Sequence, residues 1–397
     1  MVDAPPLPVR RLTPAGEHCF FGYYDVRACS SEGRHLCHRV GFRDRFPAPG
    51  DAAEVGLVDL ALDAEPGFAP FGETLAWNFQ QGSMLQWLPG SQDGCVYNVY
   101  EAGRFGAAIR DVRTGERRLL PLPVANIAPD GSAALCIDMA RLYDFRPGYG
   151  YEEAPDPCAN EPAPSGSGIW RMAIPSGDVR RLLSLAEAAA FVERCGWRTE
   201  DRKVVVNHLT FCPDGSRFVF LLRTFPERPG GDWETFLLSA SAGGSDLRLH
   251  PVWGMASHYH WRDASTLLVW ARPGPGAAGQ LLLLDDRTGE TRPLDDVFCA
   301  DGHCSWSPDR RWVLYDGYPE GEGPRRSLIL YDTATRRGAT VGQFLSEHTQ
   351  GEQVDLRCDL HPRWMPGGRS VTLDSIHEGY RAVYHVDLDG AMEAISR

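Results

Sequence analysis

The chain has 397 residues, of which 43% are hydrophobic and 23% are charged, and its formal net charge is −13. This acidic balance argues against nucleic acid as a partner, because phosphate binding requires a basic face. There is no apolar run of about 18 residues and no basic and apolar secretory signal at the N-terminus. We therefore expect a cytoplasmic protein with no membrane partner.

The eleven cysteines are scattered along the chain and form no CxxC pair. Several lie in strand-like apolar runs, such as Cys136 within residues 134–137. This distribution predicts buried free thiols in a reducing compartment and argues against a zinc–thiolate site.

A short turn signature recurs along the whole chain. Each copy has an apolar residue, a turn of the Pro-Asp-Gly kind and then an alternating strand. Pro presets the first corner of such a turn, Asp bonds back to the backbone, and Gly supplies a positive φ. In chain order the copies lie at residues 29–33, 87–90, 127–131, 211–220, 261–265, 306–315 and 364–373.

A second signature, a strand that ends in a hairpin of the Asp-x-x-Thr-Gly type, follows several copies after about 20 residues. One unit is therefore a four-stranded meander, the size of a propeller blade. We predict an all-β fold, a seven-bladed β-propeller that forms one domain over residues 1–397. A many-stranded sandwich is the alternative, but the spacing is too regular for it. The predicted blades span about 15–65, 72–118, 119–180, 200–250, 251–296, 297–346 and 352–397.

Two segments interrupt the repeat. Residues 141–168 form an insertion rich in Pro, Gly and aromatic residues, and residues 183–195 alone have a helical pattern. The start of the insertion, with Tyr143, is either a substrate-facing loop or a cover packed on the propeller edge.

Four blades carry a histidine at the same repeat position, three residues before the apolar residue that opens the turn signature. Because the strand leading into this turn is the innermost strand of a blade, we expect the four imidazoles to meet near one mouth of the central channel. The corresponding positions of the first three blades hold Val26, Met84 and Val124. The histidines are His208, His258, His303 and His361.

Convergent imidazoles suit two chemistries that are compatible in one site. Neutral imidazole binds first-row metals, and one histidine with a tuned pKa acts as a general base. Asp25 and Gln81 lie close in sequence to the early-blade positions that lack the histidine, and their polar side chains extend the site. Nearby arginines, Arg223, Arg357 and Arg363, favour an anionic substrate such as a carboxylate.

The blades resemble those of TolB-type propellers, and the histidine set resembles that of the oligogalacturonate lyase family more specifically. The resemblance implies a cytoplasmic seven-bladed propeller with a divalent metal, usually manganese, held by His and Gln side chains on late blades. By position, His303 and His361 resemble the metal ligands. Asp359 stands where the family has a second histidine, and Leu356 stands where it has the glutamine, with Gln353 nearby but out of register.

The same resemblance implies β-elimination on an acidic, uronate-containing oligosaccharide. His258 resembles the catalytic base, and Arg223 is the nearest candidate for the arginine at the substrate carboxylate. His208 and His260 are further catalytic candidates, with Tyr259, Tyr24 and Tyr143 as candidates for the proton donor. Two alternatives stay open: a non-catalytic propeller that binds a protein or glycan, and a metal-dependent enzyme of another class.

Overall fold

The computed structural model describes residues 1–61, 65–199, 202–225, 233–298, 300–318, 324–347 and 353–397. Seven four-stranded antiparallel sheets are present in these ranges, which confirms the predicted all-β, seven-bladed β-propeller. The predicted free thiol Cys299 and the predicted blade limits at residues 200 and 352 lie outside the described residues.

A short strand near the N-terminus precedes the first blade, and it is β1 (Val9–Arg11). Blade one contains β2 (His18–Phe20), β3 (Arg34–Val40), β4 (Ala53–Asp59) and β5 (Ala69–Thr74). Blade two contains β6 (Gln86–Trp87), β7 (Gly94–Glu101), β8 (Arg104–Asp111) and β9 (Arg117–Leu120). Blade three contains β10 (Asn126–Ile127), β11 (Ala133–Cys136), β12 (Gly168–Ala173) and β13 (Val179–Ser184).

The second half of the chain continues the same order. Blade four contains β14 (Val204–Phe211), β15 (Arg217–Thr224), β16 (Thr235–Ser241) and β17 (Arg248–Leu249). Blade five contains β18 (Ala256–Trp261), β19 (Thr266–Ala271), β20 (Gln280–Asp285) and β21 (Thr291–Pro293). Blade six contains β22 (Gly302–Trp306), β23 (Trp312–Gly317), β24 (Arg325–Asp332) and β25 (Arg337–Leu345).

Blade seven is built from both ends of the chain. Its inner strands are β26 (Arg363–Trp364), β27 (Ser370–Ser375) and β28 (Ala382–Asp387), and β1 is its outermost strand. Val9 pairs with Val386 and Arg11 with Tyr384. The prediction placed all strands of the seventh blade after residue 352 and therefore missed β1 as its outermost strand. The predicted end of blade one at residue 65 also falls short of β5.

The described residues contain three α-helices: α1 (Met139–Phe145), α2 (Leu185–Arg194) and α3 (Asp389–Ser396). Helix α2 matches the helical pattern at 183–195, and it begins with a capping box between Ser184 and Glu187. Helices α1 and α3 were not predicted, because fewer than nine residues give too few turns for a clear 3.6-residue period. A 3₁₀ turn at Val354–Leu356 precedes blade seven.

The inner strands run into the predicted turns, which have the expected geometry. Gly131 and Gly215 take φ values of 73° and 72°, and Asp214 Oδ1 accepts a hydrogen bond from the backbone N–H of Ser216. Within the described ranges, ten cysteines are free thiols and eight of them are buried, as the apolar runs predicted. No helix in the described part of the chain is both long and apolar enough to cross a membrane.

Two histidines of β3 lie in the core and should make stability depend on pH. Burial lowers the pKa of His35 to about 3 and that of His38 to about 4. The backbone N–H of Ser83 donates to His38 Nε2, a contact that only an unprotonated Nε2 can accept. Both imidazoles are therefore neutral in the folded protein.

These depressed pKa values stabilise the folded state above pH 6.5, and that stability is lost as pH falls, because only the unfolded chain then takes up the protons. Between pH 7 and pH 5 we expect the free energy of unfolding to fall by about 2 kcal/mol for each histidine. Urea unfolding at both pH values should show that the free energy of unfolding falls by about 2 kcal/mol less in His38→Gln than in the parent. His377→Gln, at an exposed histidine whose pKa burial lowers less, should remove a smaller part of this loss than His38→Gln does. An unchanged loss in His38→Gln would contradict the account.

Candidate active site

The structure brings the four repeat-position histidines together on the inner strands of blades four to seven. Ring centroids of His258 and His303 lie 4.1 Å apart, those of His303 and His361 4.2 Å, and those of His208 and His258 6.3 Å. All four are buried. The shared repeat position therefore corresponds to one shared place in the fold.

The backbone is irregular where these side chains project. His208 and His361 have φ values of 47° and 41°, in the left-handed region that non-glycine residues rarely occupy. The pairing of β14 with β15 shifts around His208, and that of β18 with β19 shifts around His258. Such bulges turn a side chain away from the regular strand direction. Met84, at the equivalent position of blade two, has the same kind of φ, 53°.

Three of the described side chains form a cluster suited to a metal ion: His303, Asp359 and His361, with ligand atoms within 4.8 Å of one another. The Nε2 atoms of His303 and His361 face each other at 3.1 Å. Asp316 Oδ1 lies 2.7 Å from His303 Nδ1, which must therefore carry the proton and leave Nε2 free. Among the described residues, Asp359 Oδ2 is buried and has no hydrogen-bond partner. These atoms fit a divalent cation.

The protonation states of the cluster also suit a cation. Burial lowers the pKa of His303 and His361 well below the ordinary value, so both imidazoles are neutral, which is the form that binds metals. Burial alone would raise the pKa of the Asp359 carboxyl, but the Arg326 and Arg357 guanidiniums beside it hold that pKa well below its usual range. The carboxylate is therefore ionised.

His258 lies at the edge of this cluster and lines a cavity of about 590 Å³. Its Nδ1 lies 3.1 Å from Asp301 Oδ1 and 3.0 Å from Ser257 Oγ. A carboxylate can only accept, so Nδ1 carries the proton and Nε2 is available as a base. This base-and-orienter pair resembles the arrangement that activates catalytic histidines in other enzymes.

The same cavity contains an arginine with no counter-ion. Arg223 is 5% exposed, and its Nε and Nη1 have no hydrogen-bond partner in the described ranges. Burial and the nearby Arg146 lower its pKa. The half-buried Arg146 and the buried Arg357, which line the same cavity, are occupied, since both bind Asp355. An unpartnered buried guanidinium is a ready site for a carboxylate.

The remaining metal candidate, Gln353, is not part of the cluster. It is exposed and precedes the 3₁₀ turn, where its side chain makes no capping hydrogen bond. The three cluster residues are buried whereas Gln353 is exposed, so its place as a ligand stays a prediction, and Asp359 is the third ligand candidate. The Leu356 position, where a glutamine was expected, holds a buried apolar side chain.

Two further predictions fall at the other end of the inner strands. His260 lies two residues beyond His258 and lines a separate cavity, so it is not available to a substrate beside the cluster. Arg363 also borders that separate cavity, and its guanidinium donates to Asp374 at 2.8 Å and to the backbone of Gly22. Neither residue lines the cavity that contains His258.

The predicted tyrosines have structural partners. Tyr259 donates to the backbone carbonyl of His208, and Tyr24 donates to that of Tyr259. Tyr24 nevertheless places its ring 5.1 Å from that of His303. Tyr143, on α1, lines none of the cavities described here. Arg146 and Tyr149 of the same segment do line the 590 Å³ cavity, which agrees with the alternative of a substrate-facing loop.

The two polar residues from early blades, Asp25 and Gln81, lie beside His208. The Gln81 Nε2 atom is 3.5 Å from His208 Nδ1. Asp25 is reached by the Thr210 hydroxyl at 2.8 Å, and burial raises the pKa of Asp25 to about 6. Both residues line a small void beside His208.

Several residues of the site carry no repeat signal and were missed. Tyr23 stacks on His208 with centroids 4.8 Å apart, and its hydroxyl lies 3.0 Å from His208 Nε2. Tyr149 and Tyr318 line the 590 Å³ cavity together with Asp301. Only the position of Asp301, two residues before His303, gave a signal that could have been used.

No family model and no curated protein matches the sequence. Among solved structures, an oligogalacturonate lyase in complex with manganese aligns with a TM-score of 0.67 and 17% identity, over 97% of each chain. An oligogalacturonate lyase from Vibrio parahaemolyticus aligns with a TM-score of 0.64 and 14% identity, over 98% of each chain.

A structure of the mitotic checkpoint complex also aligns, with a TM-score of 0.51 and 10% identity, over 97% of this chain and 92% of that one. At such identities a likeness concerns the fold, and the same fold serves unrelated functions. Over nearly its whole length, the chain therefore has the seven-bladed β-propeller fold found in the oligogalacturonate lyases.

Proposed function

We propose that this protein is a lyase that cleaves a uronate-containing oligosaccharide by β-elimination. The observation that carries the proposal is one cavity in which the His258–Asp301 pair and the unpartnered Arg223 lie beside the cluster of His303, Asp359 and His361. The likeness to two lyase structures supports it at the level of the fold.

In this proposal the Nε2 atom of His258 removes the proton at C5 of the uronate. Asp301 fixes the imidazole with Nδ1 protonated and stabilises the positive charge that develops on the ring. Arg223 binds the uronate carboxylate and thereby lowers the energy of the enolate-like intermediate, in which that carboxylate gains negative charge.

The departing oxygen needs a proton, and Tyr318 is the best placed donor. Arg357 donates to its hydroxyl oxygen at 2.9 Å, which leaves the O–H free to donate into the cavity. Burial raises the pKa of Tyr318, so the hydroxyl stays protonated until the leaving oxygen takes its proton. The ring lies 6.0 Å from that of His258.

His303, Asp359 and His361 would hold a divalent cation, which we propose to be manganese because two imidazoles and a carboxylate suit it. When bound, such a cation neutralises charge on a substrate carboxylate. Asp316 orients His303, and Arg326 and Arg357 position Asp359.

The test combines metal analysis of the purified protein with ultraviolet absorbance during incubation with uronate oligosaccharides. Stoichiometric metal and rising absorbance from an unsaturated product are expected. Metal without absorbance would favour a metal-dependent enzyme of another class, and neither signal would favour a propeller that only binds a partner.

The role of Arg223 gives a separate expectation. Arg223→Gln should raise KM roughly 10- to 100-fold, because a charge-assisted bond to the substrate is worth about 1.5–3 kcal/mol. Arg272→Gln, a half-buried arginine on the wall of the same cavity, is the control and should change KM little. Equal KM values for Arg223→Gln and the parent would remove Arg223 from the substrate site.

A further inference from the structure

The opposite ends of the inner strands border a second cavity, of about 480 Å³. Strand β18 connects the two cavities: His258 lines the first, and Trp261, three residues later, lines the second. We propose that this second cavity is a binding site for a small sugar acid, distinct from the site of bond cleavage.

Unsatisfied hydrogen-bond donors line this cavity. Trp306 Nε1 and Ser305 Oγ have no partner among the described residues, although the two side chains are only 5% and 4% exposed. Trp364 Nε1, also on the wall, is unpartnered in the same way. A buried polar group without a partner destabilises the folded protein, because it has lost its hydrogen bonds to water. A bound ligand with acceptor oxygens would remove this cost, and the indole N–H groups can only donate.

The charge of the cavity is also that of an anion site. Arg27, Arg262 and Arg310 line it and have no hydrogen bond or ion pair from their guanidiniums in the described part of the chain. The lining has one carboxylate, that of Asp25, which already accepts from the Thr210 hydroxyl. Three free guanidiniums at one mouth are notable in a chain of net charge −13, and guanidiniums bind carboxylates well.

The wall of the cavity also carries aromatic rings that could contact a sugar ring beside the bound carboxylate. Three indoles, from Trp261, Trp306 and Trp364, lie at one repeat position of blades five to seven. The Arg262 guanidinium lies 5.2 Å from the Trp306 ring centroid, so a cation and an aromatic face adjoin. Aromatic faces pack on apolar ring surfaces while arginine binds the acid, which together describe a sugar acid.

The experiment is a calorimetric titration with D-galacturonate, carried out in Arg223→Gln so that the first cavity contributes little. Binding should persist there, and it should weaken about tenfold or more when Arg262→Gln and Arg310→Gln are added. Trp306→Phe, which keeps an aromatic ring and removes the N–H, should weaken binding roughly threefold to tenfold. D-galactose, which lacks the carboxylate, should bind at least about tenfold more weakly.

No binding to Arg223→Gln, binding unchanged by the two further arginine replacements, or equal binding of D-galactose would each overturn the proposal. Arg262 is half-buried and Arg310 is exposed, so these replacements should leave folding intact. Because binding alone is measured, a protein without lyase activity that still binds D-galacturonate in this way would refute the proposed function and leave the second site standing.

Discussion

Replacing His258 with glutamine is expected to lower kcat for uronate elimination by about 10²–10⁴-fold, the usual contribution of a general base. Glutamine keeps a polar side chain beside Asp301 but cannot take a proton at the position of Nε2. The loss should appear in kcat more than in KM, because the base acts on the reacting proton and the carboxylate is bound elsewhere. The measurement is initial-rate ultraviolet absorbance over a range of substrate concentrations.

The matched control is His260→Gln, two residues along the same strand. In the sequence His258 resembles the base and His260 is a further candidate, and the side chains of these two residues line different cavities. His260→Gln should retain kcat within a few-fold, after correction for folded protein. Full activity in His258→Gln, or an equal loss in His260→Gln, would show that the base has been wrongly assigned.

Replacing His303 or His361 with alanine should weaken manganese binding by more than about 100-fold, since even residues that only orient ligands contribute 10- to 100-fold. Asp316→Asn, which alters the orientation of His303 and removes no ligand, should weaken binding by about 10- to 100-fold. The affinities are measured by titrating metal-stripped protein with manganese. Activity should fall in the same order among the variants.

His208→Gln is the control for these variants, because His208 lies in the histidine group but outside the three-residue cluster. It should bind manganese as tightly as the parent does. If His208→Gln loses the metal, or if the His303 and His361 variants keep it, the cluster does not form the metal site. Thermal unfolding of each variant separates loss of a ligand from loss of the fold.

The fold was predictable because its repeat is local. The conformations of the Pro-Asp-Gly turn and of the alternating strand after it are determined by neighbouring residues. Each blade can therefore be recognised from a local sequence pattern. Blade seven was incomplete in the prediction because its outer strand, β1, precedes the first turn signature and pairs with β28 over almost the full length of the chain. No local pattern encodes such a pairing.

The site was predictable to the extent that it follows the repeat. His208, His258, His303 and His361 share one position, and the structure places them together. Partners that come from outside this register were missed, as with Tyr23 and Tyr318. Gln353 was expected among the metal candidates because it is near His361 in sequence, whereas the structure leaves it exposed before the 3₁₀ turn.

Closure of the ring by β1 also has a consequence for the order in which the protein assembles. Blade seven cannot be completed until β28 has been synthesised. Until then the face of the first blade that packs against blade seven stays uncovered. The cluster of His303 and His361 joins blades six and seven, and Tyr23 of the first-blade segment packs against His361. A ligand that binds there only when blades six and seven have met the first-blade segment shifts the equilibrium toward the closed ring by mass action. A cation bound at this cluster would therefore also stabilise the closed ring of blades.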